Sequence, residues 1–210
     1  MGFYEQKMLP YLIDLSLSAP SVGKHRREIM TDVTGEVLEI GFGTGLNLSY
    51  YPEHIRKIVT VDPNPGVHTL AQKRIAKSSI TVDHHILSSE TLPMADASFD
   101  SVVSTFTLCS IPDVKRAIAQ IYRVLRPGGR FFFVEHGLSP EPRVQVWQNR
   151  LTPIQKIIAG GCHFNRNIRE LIAEQFDQVT LKTTYLENSP KVSTYLYTGI
   201  ASKVNVSDRL

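Results

Sequence analysis

In Val37-Leu38-Glu39-Ile40-Gly41-Phe42-Gly43-Thr44-Gly45 an apolar strand runs directly into glycines spaced G-x-G-x-G. Such a chain must turn tightly at the end of a strand, because glycine adopts positive φ freely and leaves no Cβ in the way. In an open α/β sheet a turn of this kind lies at the carboxyl end of the first strand, where the backbone can touch a ligand. Taken alone, it is equally an ordinary strand-to-helix turn. Asp62 shifts the balance: it stands 21 positions after Gly41, at the end of a second apolar run, where an acidic group accepts hydrogen bonds from ribose hydroxyls. Its other reading is an exposed turn residue. A dinucleotide site needs its third glycine at position 46, and Leu46 stands there. Glu39, two positions before the first glycine, would repel a pyrophosphate and suits a ligand with a cationic portion.

The rest of the chain alternates short apolar runs with amphipathic stretches, as a parallel sheet with crossover helices does. Strands are expected at 35–40, 57–61, 80–87, 99–104 and 130–134, and β-rich runs at 179–185 and 193–201. Asn64 is placed to cap a helix with Pro65 at its first position. The stretch 114–125 has apolar residues at Val114, Ala117, Ile118, Ile121, Val124 and Leu125, the stepping of a helix stripe that faces a sheet. Pro127-Gly128-Gly129 is expected to stop it, and three consecutive phenylalanines, Phe131 to Phe133, read as a strand buried on both faces. Further helices are expected around Trp147 and at 168–176, separated by a Gly160-Gly161 break. With 210 residues, 42% of them hydrophobic, the chain supports one core. The expected domain spans 1–210: a helical N-terminal extension (1–34), a cofactor-binding core (35–136), and substrate-side helices with the final strand pair (137–210).

Several classes are disfavoured. Lys and Arg number 23 against 20 Asp and Glu, a net charge of +3, and the basic residues are scattered apart from His25-Arg26-Arg27, so nucleic acid is not an expected partner. Cys109 and Cys162 lie far apart without ligand spacing, so neither a zinc site nor a disulfide scaffold is expected, and a reducing, cytoplasmic setting fits. The first 22 residues are interrupted by Glu5, Lys7, Pro10 and Asp14, and no secretory signal or membrane span is readable. Peripheral membrane contact through that segment stays open, as does the oligomeric state.

Glu39 to Gly45, Asp62, the stretch from Leu92-Pro93 to Ser98-Phe99-Asp100, and Val124-Leu125-Arg126-Pro127-Gly128-Gly129 together resemble class I S-adenosylmethionine-dependent methyltransferases. The resemblance implies an α/β, Rossmann-like fold: a seven-stranded sheet, mostly parallel with an antiparallel last strand, and helices on both faces. It implies S-adenosylmethionine as cofactor, with Gly41, Phe42, Gly43 and Gly45 beside the methionine portion and Glu39 near its ammonium. Asp62 would hold the ribose, Pro63 would pack near the adenine, and Ser88, Ser89 and Glu90 would lie along the adenine edge. Leu108 to Pro112, Val134 to Gly137 and Gly161 to Arg166 are similar to a narrower group that includes bacterial methyltransferases and, more distantly, mammalian alkyl thiol methyltransferases.

Residues after the fourth and fifth strands should face the acceptor. His136 takes a proton near neutral pH and is expected either to touch the acceptor or to cap the sheet edge. Glu135 beside it points to the opposite face while the strand lasts. Cys109 reads as a small buried filler, with acceptor contact as the alternative. His163 either forms a lid or opens a helix capped by Asn165. Tyr4 and Tyr11 either cover the cofactor or pack on the sheet. His136 and His163 are thus the candidate proton acceptors, and Tyr4, Cys109, Glu135 and Asn165 the candidate acceptor contacts. Phe106, Leu108, Cys109, Ile111 and Phe164 suit a small, largely apolar molecule. The resemblance to alkyl thiol methyltransferases chiefly favours a thiol, which is also partly ionised near neutral pH and needs no metal; quinols, phenols, amines and phospholipids are the alternatives. The competing class is a cofactor-binding module without catalysis.

Overall fold

The computed structural model describes residues 8–187 and 189–204. Helices α1 (Leu9–Leu17) and α2 (Pro20–Met30) come first, each with a proline in its opening turn, where a missing N–H costs nothing. There follow β1 (Val37–Ile40), a 3-10 turn at Leu46–Ser49, β2 (Lys57–Val61), α3 (Pro65–Ile75), β3 (Thr81–His85), β4 (Phe99–Thr105) and α4 (Val114–Val124). The chain continues through β5 (Leu125–His136), α5 (Pro142–Ile158), α6 (Ile168–Ala173), β6 (Gln178–Tyr185), the single turn α7 (Lys191–Thr194) and β7 (Tyr195–Ser202).

The strands form one seven-stranded sheet in the order β3-β2-β1-β4-β5-β7-β6. β1 to β5 pair in parallel, and β7 runs antiparallel to both β5 and β6. The order reverses between β1 and β4, which opens a crevice at their carboxyl ends. Successive strand residues point to opposite faces. Accordingly Leu38, Ile40, Val102, Phe131 and Phe133 pack with Ile118 and Ile121 of α4 and with Ile168 and Ile172 of α6. Val37, Val103, Phe132 and Val134 pack instead with Ile29 and Met30 of α2 and Ala71 of α3. All three consecutive phenylalanines are fully buried, as a central strand covered on both faces requires. α2 therefore covers one face of the sheet.

Most elements fall where periodicity puts them. Asn64 caps α3 by accepting a hydrogen bond from the Gly66 N–H at 2.8 Å. Several boundaries differ, the first strand starting at Val37 and the third spanning only Thr81–His85. α4 ends at Val124, and Leu125 is already extended (φ −69°, ψ 136°), so Pro127-Gly128-Gly129 lies within β5 instead of stopping the helix. There Gly128 N–H donates to the Lys203 carbonyl at 2.7 Å, a partner 75 positions away that local pattern does not reveal. α6 stops at Ala173, and β7 starts at Tyr195 because residues 191–194 form α7. Among the described residues no helix is long and apolar enough to cross a membrane.

Candidate active site

A cavity of about 300 Å3 lies at the carboxyl ends of β1, β2 and β4. The glycine turn contributes Gly41, Phe42, Gly43 and Thr44; the segments after β2 and β3 contribute Asp62, Pro63, Asn64, Ser88 and Ser89. The end of β4 and the loop after it add Thr105, Phe106, Thr107, Ser110 and Ile111, and α1 adds Leu9, Pro10, Ile13 and Leu17, with Ala159 and Gly160 from the α5–α6 connection. α1 is tied to the glycine turn: Asp14 accepts from the Thr44 hydroxyl and pairs with Arg74 at 2.9 Å, while Arg74 also donates to the Thr44 carbonyl at 3.0 Å.

Two of the glycines are required for different reasons. Gly41 has φ +72°, and a Cβ there would lie 2.1 Å from Thr107 Oγ1. Gly43 has φ +55°, and its Cβ would meet nothing closer than 4.0 Å, so the backbone there is bare toward the cavity. Gly43 N–H donates to Asp62 Oδ2 at 2.8 Å, and Asn64 N–H donates to Asp62 Oδ1 at 2.8 Å. Asp62 is 8% exposed, and burial pushes its carboxyl up against these two bonds. Each oxygen retains a second acceptor site, which is what a pair of ribose hydroxyls needs. Gly45 is not at the cavity surface; with φ +78° it caps the 3-10 turn.

Glu39 also lies one layer back. It is 1% exposed, and it accepts from Asn47 Nδ2 and from the Tyr51 hydroxyl, both at 2.8 Å. Burial pushes its carboxyl up to about 7, opposed by those two hydrogen bonds and by the charge of Arg26. Arg26, 2% exposed, lines the cavity together with Asn47 and Thr105 and donates to Thr105 Oγ1 at 2.6 Å. Reading the sequence as a basic cluster missed Arg26. The available signal was its spacing: three or four positions from Val22, Gly23, Ile29 and Met30, it sits on the buried face of α2, where a guanidinium needs a partner.

The remaining candidates separate. Phe42, Pro63, Ser88 and Ser89 line the cavity, whereas Glu90 turns away to accept from the Ser88 hydroxyl at 2.9 Å and from Asp113 N–H at 2.6 Å. Phe106 and Ile111 line the cavity, but Leu108, Cys109 and Phe164 belong to the core behind it. Phe106 has φ +55°, a strained state for a bulky residue that costs about 1–3 kcal/mol. Glu135 is fully buried and holds the loop after β4, accepting from the Ser104 hydroxyl and from Thr107 and Leu108 N–H at 2.9 to 3.0 Å; burial pushes its carboxyl up to about 8. Glu135 does not line the cavity; all three of these bonds end on Oε1. Asn165 bonds to Asn149 at 2.9 Å, away from the cavity, and the cap of α6 is Asn167. Tyr11 is exposed rather than packed on the sheet, and Tyr4 lies outside the described residues.

Neither candidate proton acceptor lines the cavity. His163 sits against the Cys109 carbonyl, with Nδ1 at 3.1 Å. His136 directs Nε2 at Cys162 Sγ, 2.9 Å away. Cys109, His136 and Cys162 place their sulfur and nitrogen atoms within 4.8 Å of one another. Sequence spacing does not reveal this grouping, because spacing rules detect ligands on one local segment and these three come from separate segments. The Cys109 thiol is pulled well below the usual range by the hydrogen bond with Cys162, with His136 adding to the effect.

A sheet of this order, with β7 antiparallel, a glycine turn at its switch point and a ribose-spaced carboxylate without the dinucleotide glycine, defines the class I methyltransferase fold. The methyltransferase domain family matches residues 38–133. The thiol S-methyltransferase TMT1B of Rattus norvegicus is 34% identical over 189 residues, covering 82% of this chain and 77% of the rat protein. The thiol S-methyltransferase TMT1A of Homo sapiens is 36% identical over 62% of this chain, which spans 54% of the human protein's length. Among solved structures, an S-adenosylmethionine-dependent methyltransferase of Thermotoga maritima superposes with TM-score 0.66 at 18% identity, covering 95% of this chain and 97% of that one. The chain belongs to the S-adenosylmethionine-dependent methyltransferase family, and S-adenosylmethionine is its methyl donor.

Proposed function

We propose that the protein transfers a methyl group from S-adenosylmethionine to the sulfur of a small, largely apolar thiol. The observation that carries this reading is one cavity with two kinds of lining: a polar cradle of Asp62, Arg26, Asn47 and the glycine turn, and an apolar set from Leu9, Ile13, Leu17, Phe106 and Ile111. The similarity to proteins named thiol S-methyltransferases supports the acceptor atom. In this reading Asp62 holds the ribose, the bare backbone at Gly41 and Gly43 follows the methionine portion, and Arg26 pairs with the cofactor carboxylate. Pro63, Ser88 and Ser89 lie along the adenine. When bound, the cofactor would supply an electrophilic methyl on a sulfonium for transfer to a thiolate sulfur.

Catalysis then consists of holding the two sulfurs in line and excluding water. Thiols are partly ionised near neutral pH and a sulfonium favours the thiolate, so the reading assigns no proton acceptor to the cavity wall. The two free cysteines fit a cytoplasmic setting, where thiols stay reduced. The apolar outer residues of α1, Tyr11, Leu12 and Leu15, support peripheral contact with a membrane surface. Mass spectrometry of a matched panel is expected to show methylated alkyl or aryl thiols. Methylated amines or quinols beside untouched thiols would refute the assignment.

Glu39 makes the cofactor site pH-dependent. Its carboxyl is pushed up to about 7 in the ligand-free fold, so the stability it contributes is present below the unfolded value and lost as pH rises through 7. A bound ammonium nearby favours the carboxylate, so binding releases a proton below pH 7. Affinity is expected to rise by up to about tenfold per pH unit there, and to level off above it. Calorimetry in buffers of different ionisation enthalpy reads this directly: a binding enthalpy independent of buffer at pH 6 would show that Glu39 does not couple to the cofactor.

A further inference from the structure

Behind the cavity three segments bring together side chains that the methyl transfer does not use: Cys109 after β4, His136 at the end of β5 and Cys162 after α5. We propose that Cys109, His136 and Cys162 form a metal site for a zinc-class cation. Their donor atoms lie within 4.8 Å of one another. Tetrahedral zinc, with sulfur at roughly 2.3 Å and nitrogen at roughly 2.0–2.1 Å, spaces its donors about 3.5–3.8 Å apart, a separation that small side-chain rotations reach from the 2.9 Å between His136 Nε2 and Cys162 Sγ.

The donor set and its surroundings agree. Two thiolates and an imidazole select zinc or monovalent copper over magnesium or calcium. Cys109 and Cys162 are 2% and 6% exposed, and the rings of Phe106 and Phe164 flank His136 with centroids at 6.5 and 5.7 Å, so the pocket is largely dry. Gln155 Nε2 reaches Cys162 Sγ at 3.6 Å and the Ser110 hydroxyl contacts Cys109 Sγ at 3.5 Å, polar partners of the kind that surround metal thiolates. Binding leaves two thiolates and a neutral imidazole, and the protons that the three side chains carried go to solvent; the cation accepts electron pairs from both sulfurs and from Nε2, with water in the fourth position and no change of oxidation state. The bound cation cross-links the loop after β4 to the α5–α6 connection, whose Ser110 and Gly160 line the cavity.

The test uses the full chain, reduced and freed of metal with a chelator, titrated with Co2+ and then Zn2+. Expected are a thiolate-to-cobalt charge-transfer band and tetrahedral d–d bands that saturate at one equivalent, vanish on adding Zn2+, and accompany a rise in Tm. The charge-transfer band should be lost in the Cys109→Ser, Cys162→Ser double variant, and His136→Ala should weaken zinc binding by about tenfold or more. No charge-transfer band on the reduced native chain overturns the proposal, even if that chain oxidises to a Cys109–Cys162 disulfide. A band that survives in a folded double variant overturns it as well. The native-chain titration stands without the variants, and because it reads metal rather than methyl transfer, it is independent of the acceptor.

Discussion

Asp62→Ala is expected to weaken S-adenosylmethionine binding about a hundredfold, as read by calorimetry. Charge-assisted hydrogen bonds are worth about 1.5–3 kcal/mol each, and every 1.4 kcal/mol is tenfold in affinity. Losing the ribose contacts alone therefore reaches this range. The same carboxylate also anchors the turn, since Gly43 and Asn64 N–H both donate to it at 2.8 Å, and the alanine variant leaves both donors unpaired. Asp62→Asn separates these effects: one amide oxygen still accepts a hydrogen bond, while the charge and the second acceptor are gone. A dissociation constant within threefold of wild type in the alanine variant would place the ribose elsewhere.

Gly41→Ala is expected to cost stability as well as binding. Alanine in the left-handed region loses about 1–2 kcal/mol, and its Cβ would lie 2.1 Å from Thr107 Oγ1. Thr107 has little freedom to yield, because its N–H donates to Glu135 at 2.9 Å and its hydroxyl to the Thr105 carbonyl at 3.1 Å. Overpacking of this kind adds about 1–3 kcal/mol, so Tm should fall by roughly 5–20 °C. Gly43→Ala is the control: it carries the same backbone strain, but its Cβ meets no atom within 4 Å except the Gly41 carbonyl at 4.0 Å. It should lose only that strain, about 1–2 kcal/mol or roughly 2–8 °C in Tm, and so melt above Gly41→Ala while losing cofactor affinity. If both variants melt alike, the close approach to Thr107 is not what requires glycine at position 41.

The cofactor half was legible because its signals are local. The apolar run before Gly41, the capping pair Asn64-Pro65 and the stripe of α4 each report a dihedral preference or a period within a dozen residues, and β1, α3 and α4 follow them. Asp62 was legible because a strand-turn-helix unit has a nearly constant length, so an acidic side chain at its end arrives at a known place. The acceptor side was less legible for a related reason. Position after a strand says which end of the sheet a residue occupies, but not whether its side chain is already engaged. Glu135 is at the right end but buried, with Oε1 holding Ser104, Thr107 and Leu108; His136 is at the right end and turns to Cys162.

The sequence by itself determined the sheet with its crossover helices, the bare glycine turn and the carboxylate beside it, because these depend on backbone preference and on periodic burial along a single segment. Only the tertiary structure decided that Arg26 enters the cavity from α2, that Glu39 stands one layer behind it, and that Cys109, His136 and Cys162 meet. Each of these depends on where segments dozens of residues apart are stacked by the packing of the sheet faces. A buried charge or thiol takes its chemistry from such neighbours, through desolvation and through the partners within hydrogen-bond reach, and one-dimensional order does not encode those neighbours locally.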